Sequence, residues 1–184
     1  MKRDDSMAHG IILQNQVAAM NVDSYNRSVV SAINVDNGNV FTISALSTTA
    51  GETEVWTAST PVTGSLTDLW MACEPEVVVT VSGTKEYKGN NPDVRDFYNV
   101  ATNVFSAFKP VVGDIITLTA DALGGTISTN EYVVATTATS ELTWAAAAVT
   151  GLSLQLIKTT YISIATGAIG SQRTTAYKFA VVAV

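Results

Sequence analysis

Apolar residues in this chain recur mostly at every second position, the period of a strand with one buried face. Near the C-terminal end Leu152, Leu154 and Leu156 alternate with polar neighbours, Ile162 and Ile164 lie on one side, and Tyr177, Phe179 and Val181 share a face. Upstream, residues 29–33, 40–46, 54–59, 68–73 and the β-branched run 77–81 read as further strands, as do 116–120, 131–136 and 142–149. Many short strands separated by Gly, Asn and Thr turns predict a mainly β protein, a β-barrel or a β-sandwich. Asn37-Gly38 between two apolar runs predicts a hairpin turn, since both residues tolerate positive φ. Pro75 demands a break or an edge position before Val77. The closing run from Phe179 to Val184 needs a strand partner or a cover, because left free it would be an aggregation-prone edge.

One stretch departs from this period. Asn91-Pro92-Asp93 has the composition of a helix start: a capping Asn, Pro at the first helical position and an acid in the first turn. Val94, Phe97, Ala101, Val104, Phe105 and Phe108 then recur at spacings of three and four. The spacing predicts one amphipathic α-helix over 92–108 that covers a sheet and stops before Lys109-Pro110.

On either side of that stretch the chain repeats itself weakly. Gly38 and Gly113 each precede an apolar run. Each copy then passes through a polar Gly-Thr loop to Glu54 or Glu131, and ends on Trp70 or Trp144 followed by small residues. The echoing halves, about 31–83 and 109–149, suggest a duplicated β unit in a body spanning 31–184. The matched tryptophans are expected to anchor its core.

Residues 1–30 lack any clean period. Lys2-Arg3-Asp4-Asp5-Ser6 is a solvated start, and amides interrupt the apolar positions from Ile11 to Ser28. An extended N-terminal arm that orders on a neighbouring surface fits this pattern. A loop packed on its own domain fits it equally.

Composition narrows the possible functions. Charged residues make up only 14% of the chain and hydrophobic residues 47%. So few charges suit a surface partly covered by neighbours. The net charge is −6 and the ten Lys and Arg are scattered, so no basic face exists for nucleic acid or for an anionic membrane. No stretch approaches the length of a bilayer-spanning helix, and Ile11-Ile12-Leu13 is too short for a signal peptide. Use or assembly in a cytoplasm is therefore expected. The single cysteine, Cys73, forbids an internal disulfide and reads as a small buried apolar residue.

Catalytic chemistry is sparse. His9 is the one histidine, and an unanchored arm would not hold a general base in place. Cys73 and His9 are too few for a zinc site. Asp36-Asn37-Gly38-Asn39 lacks the acid spacing and distal Glu of a calcium loop and reads as a turn. Gly124-Gly125-Thr126 has no following Lys and also reads as a turn. The acid pairs Glu52/Glu54, Glu74/Glu76 and Asp93/Asp96 are the arrangement a glycosidase needs, but any acidic β protein offers such pairs. Trp56 and its fellow tryptophans leave a carbohydrate-binding β module open. Asn26-Arg27-Ser28 fits the N-glycosylation pattern without other signs of secretion. No catalytic, cofactor or metal residue is assigned, and the chain is expected not to be an enzyme.

The segments 77–85, 109–115 and 159–164 resemble small structural proteins from the head-gene clusters of tailed bacteriophages and prophages. Those proteins resemble capsid decoration, or cement, proteins. The likeness is one of overall texture, runs from about Gly10 onward and carries no site residue. It implies a virion protein, assembled in the bacterial host cytoplasm, that binds the outside of the shell formed by the major capsid protein. It further implies a homo-oligomer, a trimer by preference, with no enzyme activity and no cofactor. The alternatives are another virion component, such as a tail-tube, fibre or head-fibre subunit, and the carbohydrate-binding module.

Overall fold

A computed structural model describes residues 8–48, 54–82, 85–90, 94–127, 131–165 and 171–184. In chain order the strands are β1 (Ile12–Gln16), β2 (Asn26–Ser31), β3 (Val40–Leu46), β4 (Val55–Ser59), β5 (Trp70–Ala72), β6 (Val77–Ser82) and β7 (Lys85–Asn90). They continue with β8 (Val104–Phe108), β9 (Ile115–Thr119), β10 (Leu123–Gly124), β11 (Tyr132–Val134), β12 (Leu142–Ala145), β13 (Ser153–Ala165) and β14 (Ser171–Ala183). The protein is mainly β, as the alternation predicts. Five strands close a barrel in the order β2-β4-β3-β5-β8, and seven form a sheet in the order β1-β9-β14-β13-β11-β12-β10. A third, two-stranded sheet pairs β6 with β7.

Strand alternation builds two cores from the same strands. Val29, Phe41, Ala58, Trp70, Ala72, Phe105 and Ala107 fill the barrel. Phe41 and Phe105 meet edge to face there, with ring centroids 5.7 Å apart. Val40, Met71 and Phe108 point out of the barrel and join Ile116, Leu118, Leu154 and Phe179 of the seven-stranded sheet in the larger core. One residue therefore faces the barrel interior and its neighbour faces the sheet: Phe41 and Val40, Trp70 and Met71, Ala107 and Phe108. The expected C-terminal faces hold, with Leu152, Leu154, Tyr177, Phe179 and Val181 all buried.

The helix expected over 92–108 is not there. Among the described residues the only helical piece in that span is one 3-10 turn, Val94–Asp96; the start signal at 91–93 lies outside them. Residues 104–108 satisfy two periods at once, because Phe105 and Ala107 also alternate with Val104 and Ser106. Strand pairing wins: β8 bonds antiparallel to both β2 and β5, which closes the barrel. Upstream, Thr102 takes a φ of 69°, and Asn99 bridges to Val35, neither compatible with a continuous helix.

The N-terminal arm is also corrected. Residues 1–7 lie outside the described residues, but β1 pairs antiparallel with β9, placing Ile12 opposite Leu118. Ile11, Ile12, Val17 and Ala19 are buried, and β2 belongs to the barrel. The pattern lacks a period because a bulge between Gln14 and Gln16 and two 3-10 turns, Ala18–Met20 and Asp23–Tyr25, interrupt it. A boundary at residue 30 falls inside β2.

The turn at Asn37-Gly38 exists, with φ of +92° at Gly38, but it does not make a hairpin. β2 pairs with β4 in parallel and with β8, while β3 pairs with β4 and β5. The echo is likewise local. Gly113 has a φ of +100°, and both glycines lead into strands. The first copy, however, lies in the barrel and the second in the sheet, where β9 pairs with β1 and β14 and not with β11. Trp70 fills the barrel, whereas Trp144 packs on the sheet core, 5.1 Å from Tyr177 and 5.7 Å from Phe179 between ring centroids.

Two expectations follow. Deleting residues 1–28, harmless for a free arm, removes β1 and opens the barrel at β2, so the product should show no cooperative thermal transition by circular dichroism. Phe108→Ala should destabilise by about 3–5 kcal/mol in chemical denaturation, because Phe108 is 1% exposed in the core that joins barrel to sheet.

Candidate functional site

The barrel has an open mouth where the inward-facing positions of β2 and β4 run out. Two residues before Val29 on β2 comes Arg27, and two before Ala58 on β4 comes Trp56. The Arg27 guanidinium carbon lies 5.8 Å from the Trp56 ring centroid and 5.4 Å from that of Trp70. Trp70 is buried at the foot of this arrangement, and Trp56 is half-buried at its lip. A groove of about 720 Å³ opens beside them, with Asp23 and Glu54 on its rim and Leu46, Ser106 and Ala107 along its walls. Arg27 Nη1 donates to the Asn26 carbonyl at 2.9 Å. Asn26 is tied down in turn, its amide donating to the Ala19 carbonyl at 2.7 Å. The two acids of the rim and the cation between the rings make a concave, polar surface with one partly exposed indole.

Sequence reasoning singled out Trp56 but missed Arg27. Its signal is the parity of β2: Arg27 shares a face with Val29 and Ser31, which are buried. Register with β4, which sets Val29 opposite Trp56, brings the two side chains together and is not visible in the sequence.

The other candidates are dispersed. His9 is held, contrary to expectation: its Nδ1 lies 2.9 Å from Asp36 Oδ1, its ring centroid is 4.7 Å from that of Tyr98, and its backbone N–H donates to the Arg95 carbonyl at 2.8 Å. Among the described residues no hydroxyl or thiol bonds to its other ring nitrogen, so the pair has the base and acid of a nucleophile-base-acid triad but no nucleophile. Asp36 also accepts from the Gly10 N–H at 3.3 Å, which makes the pair an anchor for the start of the described chain.

The 36–39 turn is held by its neighbour Asn37, 1% exposed. Asn37 bonds in both directions to the Glu74 backbone, at 2.9 and 3.0 Å, and accepts from the Asn99 amide at 3.2 Å. Glu74 Oε2 accepts from the Ser106 N–H at 2.6 Å, so this acid of the Glu74/Glu76 pair is spent on the barrel wall. Glu52 and Asp93 lie outside the described residues. Among the described residues no group of three or more His, Cys, Asp or Glu is placed to hold a metal ion. Also among the described residues, no helix is long and apolar enough to cross a membrane.

A second structural feature is the long hairpin of the seven-stranded sheet. β13 and β14 are 13 residues each and pair along their whole length, from Ser153 opposite Ala183 to Ala165 opposite Ser171. β11 flanks β13 only at 153–155, and β9 flanks β14 only at 176–180. Beyond those points the hairpin runs on as a two-stranded ribbon. Ile157 and Tyr161 are half exposed on it, and Arg173 lies 4.0 Å over the Tyr161 ring.

Comparison with protein-family models, curated proteins and solved structures finds no match to this chain.

Cys73 is partly buried against the larger core. Burial, then the charges of Glu76 and Glu74, pushes its thiol from 9.0 up to about 11. The unfolded chain loses this proton first, so between those values the native state holds more protons and stability falls as pH rises. The loss should total on the order of 2–3 kcal/mol. Denaturation curves of the protein and of Cys73→Ala across that window should diverge, with the variant showing the shallower decline.

Proposed function

We propose that this protein is a structural, non-enzymatic subunit of a tailed-phage particle that binds the outside of the capsid shell and stabilises it as a homo-oligomer, a trimer by preference. The observation that carries the assembly part is the β13–β14 ribbon. Its backbone edges beyond residues 155 and 176 face no further strand among the described residues. Such edges are templates for pairing with another chain. Its charge supports the same role. Residues 142–184 carry Lys158, Arg173 and Lys178 and no carboxylate, whereas residues 1–141 hold the other seven Lys and Arg against all 16 Asp and Glu. The balance is +3 against −9. A basic ribbon on an acidic body suits docking onto a neighbouring copy or onto an acidic shell surface. Repetition over a symmetric shell then multiplies weak contacts into lasting occupancy.

The phage-head part rests on the textural resemblance of the segments 77–85, 109–115 and 159–164. In the fold, the first covers β6 and the first residue of β7, which form a separate two-stranded sheet, and the third lies on the ribbon.

Replacing residues 160–175 by Asn-Gly leaves every β14–β9 pair intact. This variant should keep its thermal transition and lose capsid occupancy by about tenfold, measured by quantifying shell-bound protein after sedimentation. Full occupancy by the variant, or labelled protein seen on tails instead of heads in electron micrographs, would overturn the proposal.

A further inference from the structure

We propose that the barrel mouth is a binding site for a neutral oligosaccharide, a ligand the structural-subunit reading neither requires nor supplies. The donors and acceptors around the groove are of both signs and are left available. Among the described residues no carboxylate lies within ion-pair distance of Arg27, whose one hydrogen bond, from Nη1, goes to the adjacent Asn26 carbonyl. The Trp56 indole N–H has no acceptor among the described residues, and the side chains of Asp23 and Glu54 have no donor there. In most surface sites such an Arg and two such acids would pair with one another. Here Arg27 is drawn instead toward the faces of Trp56 and Trp70, at 5.8 and 5.4 Å.

This arrangement selects a ligand class by exclusion and by match. An anion such as phosphate meets two carboxylates on the rim. A cation meets Arg27 in the centre. A nucleic acid strand would need net positive charge, and the site carries one cation against two acids. A neutral molecule rich in hydroxyls satisfies every group. Hydroxyls donate to Asp23 and Glu54 and accept from Arg27 and the Trp56 N–H. The apolar C–H face of a pyranose ring covers the exposed part of the indole, which supplies apolar area at small entropic cost. The groove volume of about 720 Å³ lies in the usual range of small-ligand sites and leaves room for a short oligosaccharide.

The cation and the indoles of the site are held by strands, while Asp23 lies on the 3-10 turn Asp23–Tyr25 and Glu54 immediately precedes β4. Arg27 and Trp56 sit on β2 and β4, which pair in parallel from Ser28 opposite Val55 onward. Trp70 is fixed in the barrel core beneath them.

The test is a glycan array probed with the full-length protein, followed by calorimetric titration of the strongest neutral oligosaccharide. Binding of neutral glycans is expected, with quenching of tryptophan fluorescence. Glu54→Gln, an exposed position, should keep the fold and weaken binding about 10-fold or more, as for a lost hydrogen bond to a charged group. Trp56→Ala should abolish binding. Because Trp56 also packs against the barrel core, Trp56→Phe serves as its folding control and should retain part of the affinity. Three outcomes overturn the proposal: no neutral glycan bound, binding confined to sialylated or sulfated glycans, or affinity unchanged in both Glu54→Gln and Trp56→Ala.

Discussion

At Val40-Phe41 of β3, Trp70-Met71-Ala72 of β5 and Ala107-Phe108 of β8 the chain has no solvent face, and the rest of the molecule depends on this. On Val40-Phe41, Trp70-Met71-Ala72 and Ala107-Phe108, successive side chains go alternately into the barrel and into the sheet core. A strand flanked this way cannot slip by one residue without exchanging the contents of both cores. The same constraint fixes the turn that enters β3. Gly38 at φ +92° sits so close to the sheet that an added Cβ would lie 2.8 Å from Leu118 Cδ2. Beside it Asn37 ties that turn to Glu74 with two part-buried hydrogen bonds and to Asn99 with a buried one. Barrel and sheet are thus joined by apolar packing across a face, while the Asn37 bonds hold the barrel's own connections together.

Such a body leaves its interaction chemistry to its ends. At one end the inward positions of the barrel strands run out into polar residues, and a guanidinium and two indoles take the place of aliphatic packing. Elsewhere, the central hairpin of the sheet outlasts its neighbours and becomes a ribbon with exposed apolar and hydroxyl side chains. In the proposed glycan site Arg27, Trp56 and Trp70 sit on paired barrel strands, which lowers the entropy lost on binding. The two places also differ in charge, with acids on the rim of the mouth and cations along the hairpin.

Much of this was legible in the residues. The period-two runs at 152–156 and 177–181 locate core strands correctly because packing there rewards the local pattern. Trp70 is buried as aromatic residues tend to be, and Cys73 is partly buried against the core. Elsewhere local signals misled. At 104–108 the side chains suit a helix face and a strand face equally, and only the vacant edges of β2 and β5 decide between them. In 11–30 the bulge and two 3-10 turns erase the period of a segment that is nonetheless anchored by the buried Ile11, Ile12, Val17, Ala19 and Val29. Lys85–Asn90 is composed of weak strand formers and becomes β7 by pairing with β6.

By itself, then, the sequence determined that the chain is β, that it carries little charge, and that its glycine turns at 38 and 113 lead into strands. These are local properties, set by side-chain period and backbone freedom within a few residues. Tertiary structure alone decided which strands pair, that the echoing halves enter different sheets, and that His9 meets Asp36. It also decided that Arg27 lies between Trp56 and Trp70. Each of these joins residues far apart in the chain, through the parallel register of β2 on β4 or the closure of β8 onto β2. Closure of a barrel is a property of all its strands together, and no window of the sequence contains it.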